Sequence, residues 1–158
     1  MNPVLFLDFD GVLHSEPSLP KEAFSQLPVM EAVLREFPAV EIVISSSWRL
    51  DWTQETDAVS FLRLHFSADI APRVVGVTPD CSYLDRPELN AEIPLRQYEC
   101  MQWLKVNRPD GTPWLALDDR DDWFLPACPN LMAVDGYAGF MPSDAAEFRL
   151  HLANITRK

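Results

Sequence analysis

Two aspartates separated by one residue, Asp8-Phe9-Asp10, follow directly on the apolar run Val4-Leu5-Phe6-Leu7 and precede Gly11. A carboxylate at the end of a buried strand can attack phosphorus and form an acyl phosphate. A second acid two residues on can protonate the leaving oxygen and then activate water against that intermediate. Gly11 lets the chain bend sharply, so that both acids face one pocket. The spacing does not fit a calcium loop, which needs a third oxygen ligand at residue 12 and a glutamate further on. A plain acidic turn is the competing reading of these residues taken alone.

Three more places carry polar groups in a similar setting. Ser45-Ser46-Ser47 follows Ile42-Val43-Ile44, and a hydroxyl there with the neighbouring backbone N–H groups suits a phosphoryl oxygen. Either Ser45 or Ser46 can fill that role. Arg96 opens an amphipathic stretch, where a guanidinium can neutralise phosphate charge, and Lys105 is a second cation further along it. Asp118-Asp119-Arg120-Asp121-Asp122 follows Trp114-Leu115-Ala116-Leu117. Such acids, packed against Asp8, suit Mg²⁺, a hard cation that takes oxygen ligands; Asp118, Asp119 and Asp122 are all candidates. His14 reads as a loop histidine, and Cys81 and Tyr83 receive no role.

The elements that position these groups alternate in type. Continuous apolar runs predict buried strands at 3–8, 40–45, 73–77, 114–117 and 131–134. Helical spacing predicts helices over 21–37, interrupted early by Pro28, over 54–66 and 95–107, and a last one from Ser143. The stretch 78–93, with Pro79 and Pro87, reads as a loop. Alternating strands and helices imply an α/β fold: a parallel five-stranded sheet with helices on both faces. In such sheets ligands bind beyond the carboxyl ends of the strands. Asp8, Ser45 and Asp118-Asp119 all stand at such ends.

A chain of 158 residues fits one domain, 1–158, and 47% hydrophobic residues is enough for a packed core. No apolar run is long enough to span a bilayer, and the first residues lack the basic leader of a signal peptide. The cysteines, Cys81, Cys100 and Cys128, have neither zinc-site spacing nor an even count. A reducing cytoplasm is the expected setting. The formal net charge of −11 argues against extensive contact with nucleic acid or an anionic membrane.

These residues resemble the haloacid dehalogenase (HAD) superfamily of phosphohydrolases. The resemblance runs in order through Phe6-Leu7-Asp8-Phe9-Asp10-Gly11-Val12-Leu13, Ile42-Val43-Ile44-Ser45, Arg96 and Leu115-Ala116-Leu117-Asp118-Asp119-Arg120. It implies a three-layer Rossmann-like fold and a Mg²⁺-dependent phosphatase. Asp8 would be the nucleophile and Asp10 the acid/base, lending its backbone carbonyl to the metal. Ser45 would bind phosphate, Arg96 would stand where lysine or arginine is usual, and Asp118 and Asp119 would support the metal. The retained Asp10 separates the chain from superfamily members that cleave carbon–halogen bonds. Ser45-Ser46-Ser47-Trp48-Arg49 and Arg96 with Trp103-Leu104 look like a small HAD domain of bacterial RNA-repair polyproteins. Leu115 to Arg120 also resembles the phosphatase domain of polynucleotide kinase-phosphatases.

Residues 14–39 are mostly one helix and 46–95 a helix, a strand and a loop, so neither holds a full cap domain, and the site is expected to be open and to suit a large phosphorylated substrate. End-processing of a nucleic acid would need only a local grip, from Arg49, Arg86 and Arg96. Trp48 and Trp52 are candidates for stacking, although packing is the commoner use of such residues. Ser45, Ser46, Arg49 and Gly11 are the expected phosphate contacts. The competing functions are a phosphatase of small metabolites or nucleotides, with 78–93 as a partial lid, and a non-catalytic binding module. The oligomeric state is left open.

Overall fold

The computed structural model describes residues 1–84 and 92–157. Five strands form one parallel sheet: β1 (Val4–Leu7), β2 (Glu41–Ile44), β3 (Val74–Val77), β4 (Trp114–Asp118) and β5 (Leu131–Ala133). Their order is β3-β2-β1-β4-β5. Four helices cover it: α1 (Leu27–Leu34), α2 (Glu55–Leu62), α3 (Leu95–Asn107) and α4 (Ala145–Thr156). This is the expected α/β architecture, Rossmann-like, and no cap domain interrupts it among the described residues. No helix among them is long and apolar enough to cross a membrane.

The strands are apolar on both faces because both faces are covered. Side chains alternate along each strand, so β1 divides its residues between two cores. Leu5 and Leu7 pack in one cluster with Met30 and Leu34 of α1, Leu62 of α2 and Phe148 of α4. Val4 and Phe6 face the other way, into a smaller cluster with Cys100 and Trp103 of α3. The Trp103 ring meets Phe6 edge to face at 5.9 Å.

Helix α1 is shorter than the periodicity of 21–37 predicts. Pro28 lies in its first turn, where no backbone N–H is needed, so proline starts the helix rather than interrupting it. Residues 20–22 form a separate helical turn before it. The last helix likewise begins after a turn at Pro142–Asp144.

The register carries the functional consequence. Leu7 pairs with Ile44 on one side and Leu117 on the other, and Ile44 pairs with Val77. Thr78, Ser45, Asp8 and Asp118 therefore form a row along the carboxyl edge. Backbone bonds continue the ladder there, from Ser45 N to Leu7 O at 2.9 Å and from Asp8 N to Leu117 O at 3.1 Å. The site residues thus inherit the rigidity of the sheet.

One close approach ties α3 to this frame. A Cβ on Gly76 of β3 would lie 2.8 Å from the Trp103 indole nitrogen. Gly76→Ala must displace a buried ring, and a loss of about 1–3 kcal/mol is expected, typical of overpacking. Chemical denaturation of the two proteins measures it; equal stability would show that α3 does not press on β3 as described.

Candidate active site

Asp8 leaves the end of β1 and is 5% exposed. Arg96, in the first turn of α3, reaches it with Nη1 at 3.4 Å from Oδ1 and reaches Asp118 Oδ2 at 3.1 Å. One guanidinium thus bridges the acids of β1 and β4. Asp118 also accepts the Arg120 backbone N–H at 2.9 Å, which folds the chain back over the strand end.

Asp119 stands beside this pair. Its carboxylate fills the space in front of Gly11 and Gly136, and a Cβ on either glycine would overlap it. Gly11 has φ of +75°, a left-handed conformation that also favours glycine. The turn after Asp10 is therefore shaped to receive Asp119. Oxygens of Asp8, Asp118 and Asp119 all lie within 4.8 Å of one another.

That crowding has an electrostatic cost. Burial pushes the Asp8 carboxyl well above the usual range, Asp118 and Asp119 push it further, and Arg96 opposes the shift. Burial likewise drives Asp118 up to about 6 against the pull of Arg96. Clustered, desolvated carboxylates with one guanidinium among them form an oxygen donor set suited to a hard divalent cation. Asp8 and Asp119 face the open pocket, whereas Asp118 lies behind them on Arg96.

The pocket encloses about 250 Å³ and is lined by Asp8, Asp10, Glu16, Ser47, Arg96, Asp119, Arg120 and Trp123. Asp10 also lines it and keeps 38% of its side chain exposed. His14 Nε2 lies 2.7 Å from its Oδ1, and Trp48 Nε1 lies 3.1 and 3.2 Å from its two oxygens. Asp10, His14 and Glu16 form a second acidic group. Both nitrogens of that histidine are already engaged, with Asp10 and with the Phe24 N–H.

Several expected contacts lie elsewhere. The Arg49 guanidinium is buried and donates to Thr78 O, Ser45 O, Ser46 O, Pro79 O and the Glu99 carboxylate at 2.8–3.3 Å. It ties the ends of β2 and β3 to α3 and offers nothing to phosphate. Ser46 is also buried, and its hydroxyl accepts the Trp48 N–H at 3.3 Å as the cap of a helical turn. Ser45 stands beside Asp8 in the row and is 2% exposed, while Ser47 forms the pocket wall. Gly11 borders Asp119 rather than the pocket. Trp48 is occupied by Asp10, and Trp52 stacks on Phe61 with centroids 5.5 Å apart, so neither offers a free platform. Asp122 is exposed and pairs with Arg120 at 2.8 Å. Lys105 lines a groove with Gly111 and Trp114 at the opposite end of β4. Arg86 lies outside the described residues, as does the middle of the 78–93 loop.

Sequence reasoning missed Ser47, His14 and Trp123. Ser47 is three residues past β2 as Asp10 is three past β1, so the spacing held a signal. Trp123 had none beyond its place after the acids; it sits against Arg96 and Arg120, 4.6 and 4.3 Å from their guanidinium carbons.

A parallel sheet that sets the acid of its central strand against an acid pair on the next strand, across a guanidinium from a crossing helix, is the arrangement of the HAD superfamily. This is a HAD-type hydrolase domain. More narrowly, residues 4–145 match the model of one family, the HAD domain in Swiss Army Knife RNA repair proteins, and the chain belongs to it. No curated protein and no solved structure matches the chain.

The carboxylate cluster predicts a thermal response to metal. The Asp118 value raised to about 6 means that the folded protein binds more protons than the unfolded one between about pH 4 and 6, so Asp118 subtracts stability as pH rises through that window, and Asp8, raised for the same reason, acts in the same direction. A cation reverses this where the acids are ionised. Millimolar Mg²⁺ is expected to raise Tm more at about pH 7.5 than at about pH 5, where protons compete for the same oxygens. Asp119→Asn should remove most of the shift, and a shift unchanged by that variant would place the metal elsewhere.

Proposed function

We propose that this domain is a Mg²⁺-dependent phosphate monoester phosphatase that acts on phosphorylated RNA ends through an aspartyl phosphate at Asp8. The observation that carries the proposal is that Asp8 and Asp10 line one open pocket, with Arg96 beside the first. The family's occurrence in RNA repair proteins supports an RNA substrate. So does the open site, since a chain end can enter without a cap having to move.

An Asp8 oxygen attacks phosphorus, and the bond from phosphorus to the leaving oxygen breaks. The Asp10 carboxyl gives its proton to that oxygen. Water then attacks phosphorus, its proton returns to Asp10, and the Asp8–phosphorus bond breaks to release phosphate and free Asp8. Arg96 orients the Asp8 carboxylate throughout and offsets phosphate charge. The residues that would hold Mg²⁺ are Asp8 and Asp119, with the Asp10 backbone carbonyl, and Asp118 would support them through Arg96. The metal would offset repulsion between carboxylate and phosphate.

The overall charge of −11 restricts the grip to the end of the substrate. Arg120, with 46% of its side chain exposed at the pocket, supplies the local cation in place of Arg49. Buried, unpaired Cys81 and Cys100 support a reducing, cytoplasmic setting.

Hydrolysis of an aryl phosphate with Mg²⁺ is expected, and Asp8→Asn should abolish it. A comparison of 3′- and 5′-phosphorylated oligoribonucleotides, free nucleotides and phosphopeptides should give the highest kcat/KM on an oligoribonucleotide end. Preference for free nucleotides would favour a small-metabolite phosphatase. Absence of turnover on every ester would falsify the enzymatic reading and leave a binding module.

A further inference from the structure

Asp10 differs from Asp8 in how it is held. The ladder fixes the Asp8 backbone and Arg96 its carboxylate. Asp10 lies beyond the strand in the bend before Gly11, half exposed, and no cation contacts its carboxylate among the described residues. Asp8 and Asp119 share its pocket, so the local field disfavours any orientation toward them. Something else must set its orientation.

Two neutral donors converge on it. The Phe24 N–H donates to His14 Nδ1 at 3.2 Å, which leaves the imidazole proton on Nε2. His14 Nε2–H therefore donates to Asp10 Oδ1 at 2.7 Å, and the Trp48 indole N–H donates across both oxygens. Neutral donors fix direction without adding a full charge beside the acid.

The donors are themselves rigid. His14 is 3% exposed. The Trp48 ring packs against Phe9 at 5.7 Å, Phe24 at 5.2 Å and His65 at 5.7 Å, and His65 stacks on Phe24 at 4.1 Å. Ser46 caps the turn that carries Trp48. Phe24 holds φ of +62°, unusual for a bulky residue, and its N–H in that conformation is the one that reaches His14. Such backbone strain persists only where the surroundings over-determine it. Five side chains from four separate stretches of sequence thus form an aromatic box whose ring N–H groups of His14 and Trp48 meet at Asp10.

We propose that His14 and Trp48 are positioning residues that clamp the Asp10 carboxyl in the orientation from which it exchanges a proton with the leaving oxygen and with water. The inference rests on the phosphatase reading above. It separates the two chemical steps. A good aryl leaving group departs without protonation, whereas an alkyl leaving group needs Asp10 in the first step. Dephosphorylation of Asp8 needs Asp10 for either substrate.

The experiment compares kcat/KM and kcat of wild type, H14A, H14Q, W48F and D10N on an aryl phosphate and an alkyl phosphate, with thermal melts as the check on folding. For H14A, kcat/KM should fall about 10- to 100-fold on the alkyl ester and less than about threefold on the aryl ester. Its kcat should fall on both, with a burst of aryl alcohol. D10N should show the same pattern at about 100- to 10,000-fold. H14Q, which can place a donor near Nε2, should recover most of the alkyl activity, and W48F should behave as a weaker H14A. Imidazole ¹⁵N shifts of the resting protein should report the Nε2–H form. An equal loss of kcat/KM on both esters, no loss on either, or a proton on Nδ1 overturns the clamp. A wild type inactive on both esters, or an active D8N, overturns the phosphatase reading and the clamp with it.

Discussion

The structure depends on one electrostatic compromise: acids of two neighbouring strands are buried together at the carboxyl edge of the sheet, with a single arginine between them. Asp8 and Asp118 are each nearly inaccessible, and Arg96 touches both. A buried carboxylate is costly unless it is paired, and one guanidinium does not neutralise two neighbouring acids and Asp119 as well. The surrounding fold keeps this arrangement in place. Register puts Asp8 beside the strand end that carries Asp118, and Gly11 and Gly136 make room for Asp119. Residual negative charge directed into an open pocket also makes the site an oxygen donor set suited to a hard cation.

Two buried arginines show how the same residue type divides between chemistry and construction. Arg49 donates to four backbone carbonyls and to Glu99, and its whole hydrogen-bonding capacity goes to holding the loops after β2 and β3 against α3. Arg96 lies one turn of α3 before Glu99, at the pocket wall, and its partners are the buried acids Asp8 and Asp118. Helix α3 therefore anchors the loops with one side chain and organises the site with another. The Trp103 contact on Gly76 and Phe6 keeps that helix seated.

The other half of the site is built with rings rather than ions. Asp8 needs a cation because it is buried in a field of like charge. Asp10 is wetter and is oriented by neutral N–H donors from an aromatic box. The two aspartates, adjacent but for one residue, thus have contrasting environments suited to a nucleophile and a proton carrier. Phe9, between them, points away from the pocket into the box, so the side-chain alternation of β1, carried on past Leu7, separates chemistry from support.

The chain alone determined a good deal of this. Apolar runs that end in acid or serine marked the strands, their parallel pairing and the edge on which Asp8, Asp10, Asp118 and Asp119 gather, because burial on both faces leaves an unmistakable pattern. Helix 95–107 was legible to the residue, bounded by Pro94 and Arg108. The contacts made by individual side chains were not legible. Ser46 and Arg49 looked like phosphate contacts and are a cap and a tie; Trp48 read as a packing residue or stacking platform and His14 as a loop histidine, yet both hold Asp10. Strand pattern is local and survives in one dimension. Which nitrogen faces which oxygen depends on loops distant in sequence meeting over the sheet, and only the tertiary structure brings residues 14, 24, 48 and 65 together.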